Sequence, residues 1–257
     1  EYYPIKKQDI QSYYSFMHQN LFNLIDIKPE NINIPNGDLK PNELRSSCVA
    51  YENKIKELGG IDLQILGIGR TGHIGFNEPG SHLNSQTRTI TLDHLTRYDA
   101  ISAFQGIENV PRKAITMGIQ SILNAKRILL MAWGTNKAGI IQKAVEGEIS
   151  DKIPTTYLQN HKNTTLILDE EASSDLTRIK TPWLVGNYEW TDANSLKAIV
   201  WLCKKMNKSI LKLTDEDYNQ NGMSDLLALS GSSYDINLSL IHISAPTRLL
   251  SGGYGGV

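Results

Sequence analysis

Apolar and polar residues alternate along this chain in two periods, one helical and one that suits short buried strands. Ile10, Tyr13, Tyr14, Met17, Leu21, Leu24 and Ile25 recur at helical spacing ahead of Pro29, which predicts a first helix ending there. Ile32 and Ile34 flank a short extended piece. A second helix is predicted from Pro41-Asn42-Glu43, with Leu44, Cys48, Tyr51, Ile55 and Leu58 on one face and Gly59-Gly60 as its stop. The run Ile61 to Leu66 is short and apolar, and it opens into glycines, so it reads as a buried parallel strand. Further strands are expected over Ala114 to Met117, Arg127 to Trp133 and Thr165 to Leu168, with a helix from Asn136 to Val145 between the last two. Such alternation predicts an α/β fold: a mostly parallel sheet covered by helices on both faces. Beyond Thr181 the pattern turns helical, with Leu196, Ile199, Val200 and Cys203 on one stripe and another helix around Asp215 to Leu229.

Composition narrows the classes of function. A chain of 257 residues can bury one α/β domain plus an appendage. A formal charge of −1 offers no electrostatic case for nucleic acid or a membrane surface. Cys48 and Cys203 are far apart within helical patterns, which suits packed thiols and neither a disulfide framework nor a metal site. No apolar run approaches the ~20 residues that cross a bilayer, and no signal peptide opens the sequence, so a cytoplasmic location is expected.

The chemistry concentrates in Gly67-Ile68-Gly69-Arg70-Thr71-Gly72-His73-Ile74-Gly75-Phe76-Asn77-Glu78-Pro79, just beyond the Ile61 to Leu66 strand. Open α/β sheets bind ligands at that edge. Gly67, Gly69 and Gly72 permit close backbone approach to a polar ligand. His73 and Glu78 supply an imidazole and a carboxylate able to orient or charge it, an acid/base unit. The plainer alternative makes His73 a packed structural histidine and Glu78 a cap, but a position among glycines beyond a strand end favours function. Phe76 is expected in the core, with Asn77 closing the loop. His18, His82, His94 and His161 lack matching partners and read as surface or packing residues. Lys137 begins the helix after the Arg127 to Trp133 strand, where a cation opposes the helix dipole unless an anion is bound.

The glycine loop resembles the signature of glucosamine-6-phosphate deaminases, G-x-G-x-D-G-H-I-A/G-F-N-E-P-G-S. Related lactonases share only the first half, so Phe76-Asn77-Glu78-Pro79-Gly80-Ser81 favours the deaminase branch. The likeness continues through Lys28-Pro29-Glu30-Asn31, Ser85-Gln86-Thr87-Arg88, Val110-Pro111-Arg112-Lys113-Ala114 and Gly134-Thr135-Asn136-Lys137-Ala138, and fades after about Glu171. It implies a Rossmann-like three-layer sandwich shared with ribose-5-phosphate isomerases, over residues 1–180, followed by a C-terminal helical extension over 181–238. The stretch 239–257 resembles translated adaptor sequence and is expected to be a non-native tail.

The implied activity is a deaminating aldose–ketose isomerisation that turns glucosamine 6-phosphate into fructose 6-phosphate and ammonia in amino-sugar catabolism, with no cofactor and no metal. Its partner would be a small amino-sugar phosphate, and a homo-oligomer is left open. In the resembling enzymes the histidine matched by His73 opens the sugar ring, flanking carboxylates matched by Glu78 and Thr71 steer it, and the lysine matched by Lys137 grips the phosphate. Thr71 stands where the family has aspartate, so it can orient the imidazole but supply no charge. Arg88 matches an arginine that binds an allosteric sugar phosphate in some members, although the lysine two places on is Ile90 here. The family's C2 proton-shuttling aspartate immediately precedes the residue matched by Glu1, and a first strand with a G-S/T-P phosphate loop lies further upstream. The expectation is an N-terminally truncated piece, inactive by itself; the competing expectation is a sugar-phosphate sensor that keeps the pocket without reactivity.

Overall fold

The computed structural model describes residues 1–244. The chain divides into two compact units, Glu1–Leu176 and a second beginning at Thr177. In chain order the first unit comprises β1 (Tyr2–Tyr3), α1 (Tyr13–Asn20), α2 (Leu44–Glu57), β2 (Leu63–Leu66), β3 (Arg88–Thr91), α3 (His94–Asp99), α4 (Ile101–Phe104), β4 (Lys113–Thr116), α5 (Ile119–Leu123), β5 (Arg127–Ala132), α6 (Ala138–Glu146), β6 (Thr164–Leu168) and α7 (Glu170–Ser173).

The three strands β2, β5 and β6 form a parallel sheet in the order β2-β5-β6, with Leu66 opposite Leu130 and Leu130 opposite Leu166. β5 is central because its side chains are apolar along its whole length after Arg127, which suits a strand covered on both faces. Ile128 and Leu130 are fully buried and pack with Ile74, Ile119, Ile122, Ile141 and Leu158 in the main core. β2 pairs with β5 on one side, and its Leu63 and Ile65 are about half exposed. All three strand expectations here hold to within three residues at each end. The resulting Rossmann-like α/β arrangement brings the C-terminal ends of β2 and β5 to one edge, which is where the glycine loop and Lys137 emerge.

The expected strand at Ala114 to Met117 forms as β4, but in a second sheet of order β1-β4-β3 whose pairings are antiparallel. Neither β1 nor β3 was expected from the pattern. Both are short, and a two-residue strand leaves no periodicity to read. The first helix is also shorter than its apolar stripe predicts. Ser12 caps α1 through a bond from the Ser15 amide, and Leu21 leaves helical geometry at φ −141, so Ile10 and Leu24 fall outside it and are 67% and 73% exposed. Pro29 opens a 3₁₀ turn instead of ending a helix. By contrast α2 and α6 form close to where the pattern places them.

The second unit contains α8 (Thr177–Lys180), α9 (Asp192–Met206), α10 (Asp215–Asn219), α11 (Ser224–Ser230) and α12 (Ser233–Ser244). Its core gathers Trp183, Ala198, Ile199, Leu202, Tyr218, Met223 and Leu226. Val200, expected on the inner stripe of α9, is 44% exposed, and Leu202 and Ala198 take the inward positions. The expected helix from Asp215 to Leu229 is two helices, because Gly222 turns the chain at φ +73, a region that favours glycine. The tail expectation concerns 239–257; residues 239–244 continue α12, and 245–257 lie outside the described residues. Among the described residues no helix is long and apolar enough to cross a membrane. Cys48 is buried and Cys203 half-buried, both as free thiols.

Candidate active site

The loop after β2 folds back on itself through two backbone bonds, from the Gly69 amide to the His73 carbonyl and from the Gly72 amide to the Gly69 carbonyl, each 3.0 Å. Gly72 turns at φ +78, and its carbonyl accepts from both the amide and the hydroxyl of Thr155, which anchors the bend. The His73 ring lies directly on Gly69: a methyl group there would overlap Cε1, Nε2 and Nδ1 of the imidazole. The glycine is thus a seat for the ring. Gly67 leaves open space around its α-carbon and makes no such contact.

Three groups converge on one nitrogen of His73. Thr71 Oγ1 lies 3.0 Å from Nδ1, Glu78 Oε2 3.3 Å and Thr96 Oγ1 3.4 Å. No well-aligned hydrogen bond reaches Glu78 Oε2, so its approach to Nδ1 is chiefly electrostatic. The His73 and Glu78 side chains are only 16% and 10% exposed, which limits screening between them. With Nδ1 occupied, Nε2 is the nitrogen left for another molecule.

Burial by itself would push the Glu78 carboxyl up. The contacts of His73 and Thr96, the His73 charge and the Asp93 amide at 3.2 Å from Oε1 outweigh it and hold the carboxyl below its ordinary value of 4.5. A depressed native pKa contributes stability that is fully present above the unfolded value and is lost as pH falls through the native one. Below about pH 4.5, therefore, the thermal midpoint of the native chain is expected to drop more steeply than that of Glu78→Gln, with the two curves converging at strongly acid pH. Parallel curves from pH 7 to pH 2 would show that the carboxylate gains nothing from this setting.

Lys137 closes the 3₁₀ turn Thr135–Lys137 before α6, and its Nζ donates to the Ile68 carbonyl at 2.8 Å. Burial pushes its pKa down, Asp99 pulls it up and Arg70 pushes it down again. Arg70 pairs with Asp99 through contacts of 2.6 and 3.0 Å, and both side chains are nearly half exposed. Two cations and one carboxylate therefore share the sheet edge beside the loop. The geometry brings His73, Thr71, Glu78 and Gly69 together, and joins Lys137 to the same loop at Ile68. Arg88 instead bonds to Asn77 and Ser81, behind the loop.

Thr96 and the Arg70–Asp99 pair escaped the sequence reading. Thr96 sits 23 residues from His73 on α3, inside no motif, and only its burial at 8% exposure hints at a role. Phe76 packs with Leu92 and Ala114, as expected of a core residue. Asn77, fully buried, closes the loop by donating to the Ile74 and Met117 carbonyls.

Comparison with known proteins adds a family to this geometry. A family model described as glucosamine-6-phosphate isomerases/6-phosphogluconolactonase matches residues 4–167. A glucosamine-6-phosphate deaminase-like protein of Bacteroides thetaiotaomicron is 49% identical over 242 residues, 94% of this chain and 36% of that protein. This chain thus spans about a third of that relative's length. A glucosamine-6-phosphate deaminase of Clostridium novyi is 51% identical over 176 residues, 68% of this chain and 72% of that protein. Among solved structures, a monomeric glucosamine-6-phosphate deaminase aligns with a TM-score of 0.66 at 44% identity, over 68% of this chain and 72% of the other. The 6-phosphogluconolactonase of Trypanosoma cruzi, 20% identical with a TM-score of 0.52, shares the fold alone.

Proposed function

Because this chain belongs to the family of glucosamine-6-phosphate isomerases and 6-phosphogluconolactonases, we propose that the protein carrying it converts glucosamine 6-phosphate and one water to fructose 6-phosphate and ammonia, by isomerisation and deamination. The observation that supports this reading best is the convergence of Thr71, Glu78 and Thr96 on Nδ1 of His73. An imidazole held from one side keeps a single nitrogen for substrate. Ring opening of a pyranose requires a proton to leave O1 and another to reach O5. Nε2 can take the first and return the second, while Glu78 stabilises the imidazolium formed in between.

Thr71 orients without charge, so the carboxylate of Glu78 carries the electrostatic part of that task alone. Thr96 adds a second hydroxyl. Lys137 supplies the cation for the phosphate, and Arg70 adds positive charge beside it. The later proton transfer between C2 and C1 needs a further base, which the family resemblance assigns to an aspartate ahead of Glu1. The amino-sugar phosphate is the small-molecule partner in this reading, and the reaction is a deamination coupled to isomerisation, not a simple hydrolysis.

The test is ammonia release from glucosamine 6-phosphate by the intact protein that carries this chain, beside hydrolysis of 6-phosphogluconolactone. Ammonia with fructose 6-phosphate supports the deaminase; lactone hydrolysis alone rejects it. Sugar-phosphate binding with neither product favours the non-catalytic sensor, for which the uncharged Thr71 is the one specific argument. In the active protein, Lys137→Met is expected to raise KM for glucosamine 6-phosphate about tenfold or more, as loss of a charge-assisted contact of about 1.5–3 kcal/mol would. Glucosamine without phosphate should react equally slowly with both proteins. A variant that slows both substrates alike would place Lys137 outside phosphate recognition.

A further inference from the structure

Arg88 matches a residue that contacts effectors in resembling enzymes, yet here both terminal nitrogens of its guanidinium are bonded within the fold. Nη1 donates to Asn77 Oδ1 at 2.8 Å, with a longer contact to the Gln86 carbonyl at 3.5 Å, and Nη2 donates to Ser81 Oγ at 2.9 Å. Asn77 and Ser81 stand on either side of the Glu78-Pro79-Gly80 turn, and the Ser81 amide donates to the Glu78 carbonyl at 3.0 Å. One planar cation therefore bridges both ends of the segment that carries the carboxylate. A lysine, a single point charge, lacks the fork needed to do this.

The clamp is anchored at its own base. Thr87, next to Arg88, gives both its amide and its hydroxyl to Glu52 Oε1 at 2.7 and 2.5 Å, and Ser121 adds a third donor at 2.5 Å. Glu52 is buried on α2, so α2, β3 and α5 meet at this carboxylate. Offering Arg88 to a passing phosphate would strip Asn77 Oδ1 of its donor. Asn77 is fully buried, and an orphaned buried acceptor costs about 1–3 kcal/mol. The arginine is better bound where it is.

We propose that Arg88 is a positioning residue, a clamp that holds the Glu78 carboxylate against Nδ1 of His73. The inference rests on the reading of His73 and Glu78 as the acid/base pair, but it predicts a property of the chain that can be measured without turnover. Ser81→Ala removes one arm, and Arg88→Lys keeps the charge while losing the bridge. In each, the Glu78 carboxyl, followed by carbon-detected NMR titration of the full chain, is expected to move up toward its ordinary value, further in Arg88→Lys than in Ser81→Ala. In the intact protein Arg88→Lys should lower kcat about tenfold with KM for the sugar phosphate within about twofold.

A purely structural arginine would lower the melting temperature and leave the Glu78 titration where it was in both variants, which overturns the proposal. So would a shift of the Arg88 Nε–H and Asn77 amide signals on adding inorganic phosphate, since that shows the guanidinium released to an anion. If Arg88→Lys fails to fold, Ser81→Ala decides the question by the same titration. Ammonia release untouched by His73→Gln would instead sink the acid/base reading, with the titration still reporting on the clamp.

Discussion

Replacing His73 with glutamine is expected to lower kcat for ammonia release from glucosamine 6-phosphate about 10²- to 10⁴-fold, the usual worth of a positioned acid/base group. Glutamine can occupy the seat over Gly69 and can donate or accept a hydrogen bond. It cannot take up a proton and return it. Lys137, the cation proposed for the phosphate, lies on a different element after β5, so KM should stay within a few-fold. Steady-state ammonia release by the intact protein, wild type against variant, measures both constants. A variant that keeps full kcat would remove the imidazole from the mechanism. One that loses affinity while keeping kcat would make it a binding group.

Gly69→Ala is the second large effect, and it is steric. The added methyl would sit within the van der Waals envelope of three ring atoms of His73, in a loop whose Gly69 amide and carbonyl are already bonded to His73 and Gly72. The ring has to leave its seat, and with it the distances of 3.0 and 3.3 Å to Thr71 and Glu78. Displacement of a reacting group by ~1 Å costs on the order of 10²-fold in rate, and that loss is expected in kcat. Gly186→Ala, where an added methyl meets nothing within 4 Å, is the matched control. Near-wild-type activity in Gly69→Ala would mean that the imidazole works from another position.

Much of the first unit is legible in the sequence for a local reason. β2, β5 and β6 are apolar runs too short for helices and bounded by turn residues, so their type follows from length and flanking residues, although the burial expected of β2 is not met at Leu63 and Ile65, which are about half exposed. The helices α2 and α6 carry a stripe of matching period and form within a few residues of its ends. At α1 the same argument fails. Only Tyr13 of its stripe meets core rings, those of Tyr2 and Phe76, none of its residues is buried, and the helix ends where the Ser12 cap and the Leu21 backbone set it. In α9 the stripe is right for Ile199, Leu196 and Cys203, which join the core, and wrong for Val200, which is exposed while Leu202 and Ala198 face in.

The chain's own order of residues determined the family, the parallel strands and the loop that joins His73 to Glu78, because all of these lie within stretches of a dozen or so residues where period, glycines and spacing are read directly. Tertiary structure alone decided that Thr96 reaches His73 across 23 residues, that Arg88 spends its guanidinium on Asn77 and Ser81, and that β4 turns into an antiparallel sheet with β1 and β3. Each of these joins groups that no local pattern relates. A hydrogen bond between remote residues depends on where whole elements come to rest, and that is set by how their buried faces fit together.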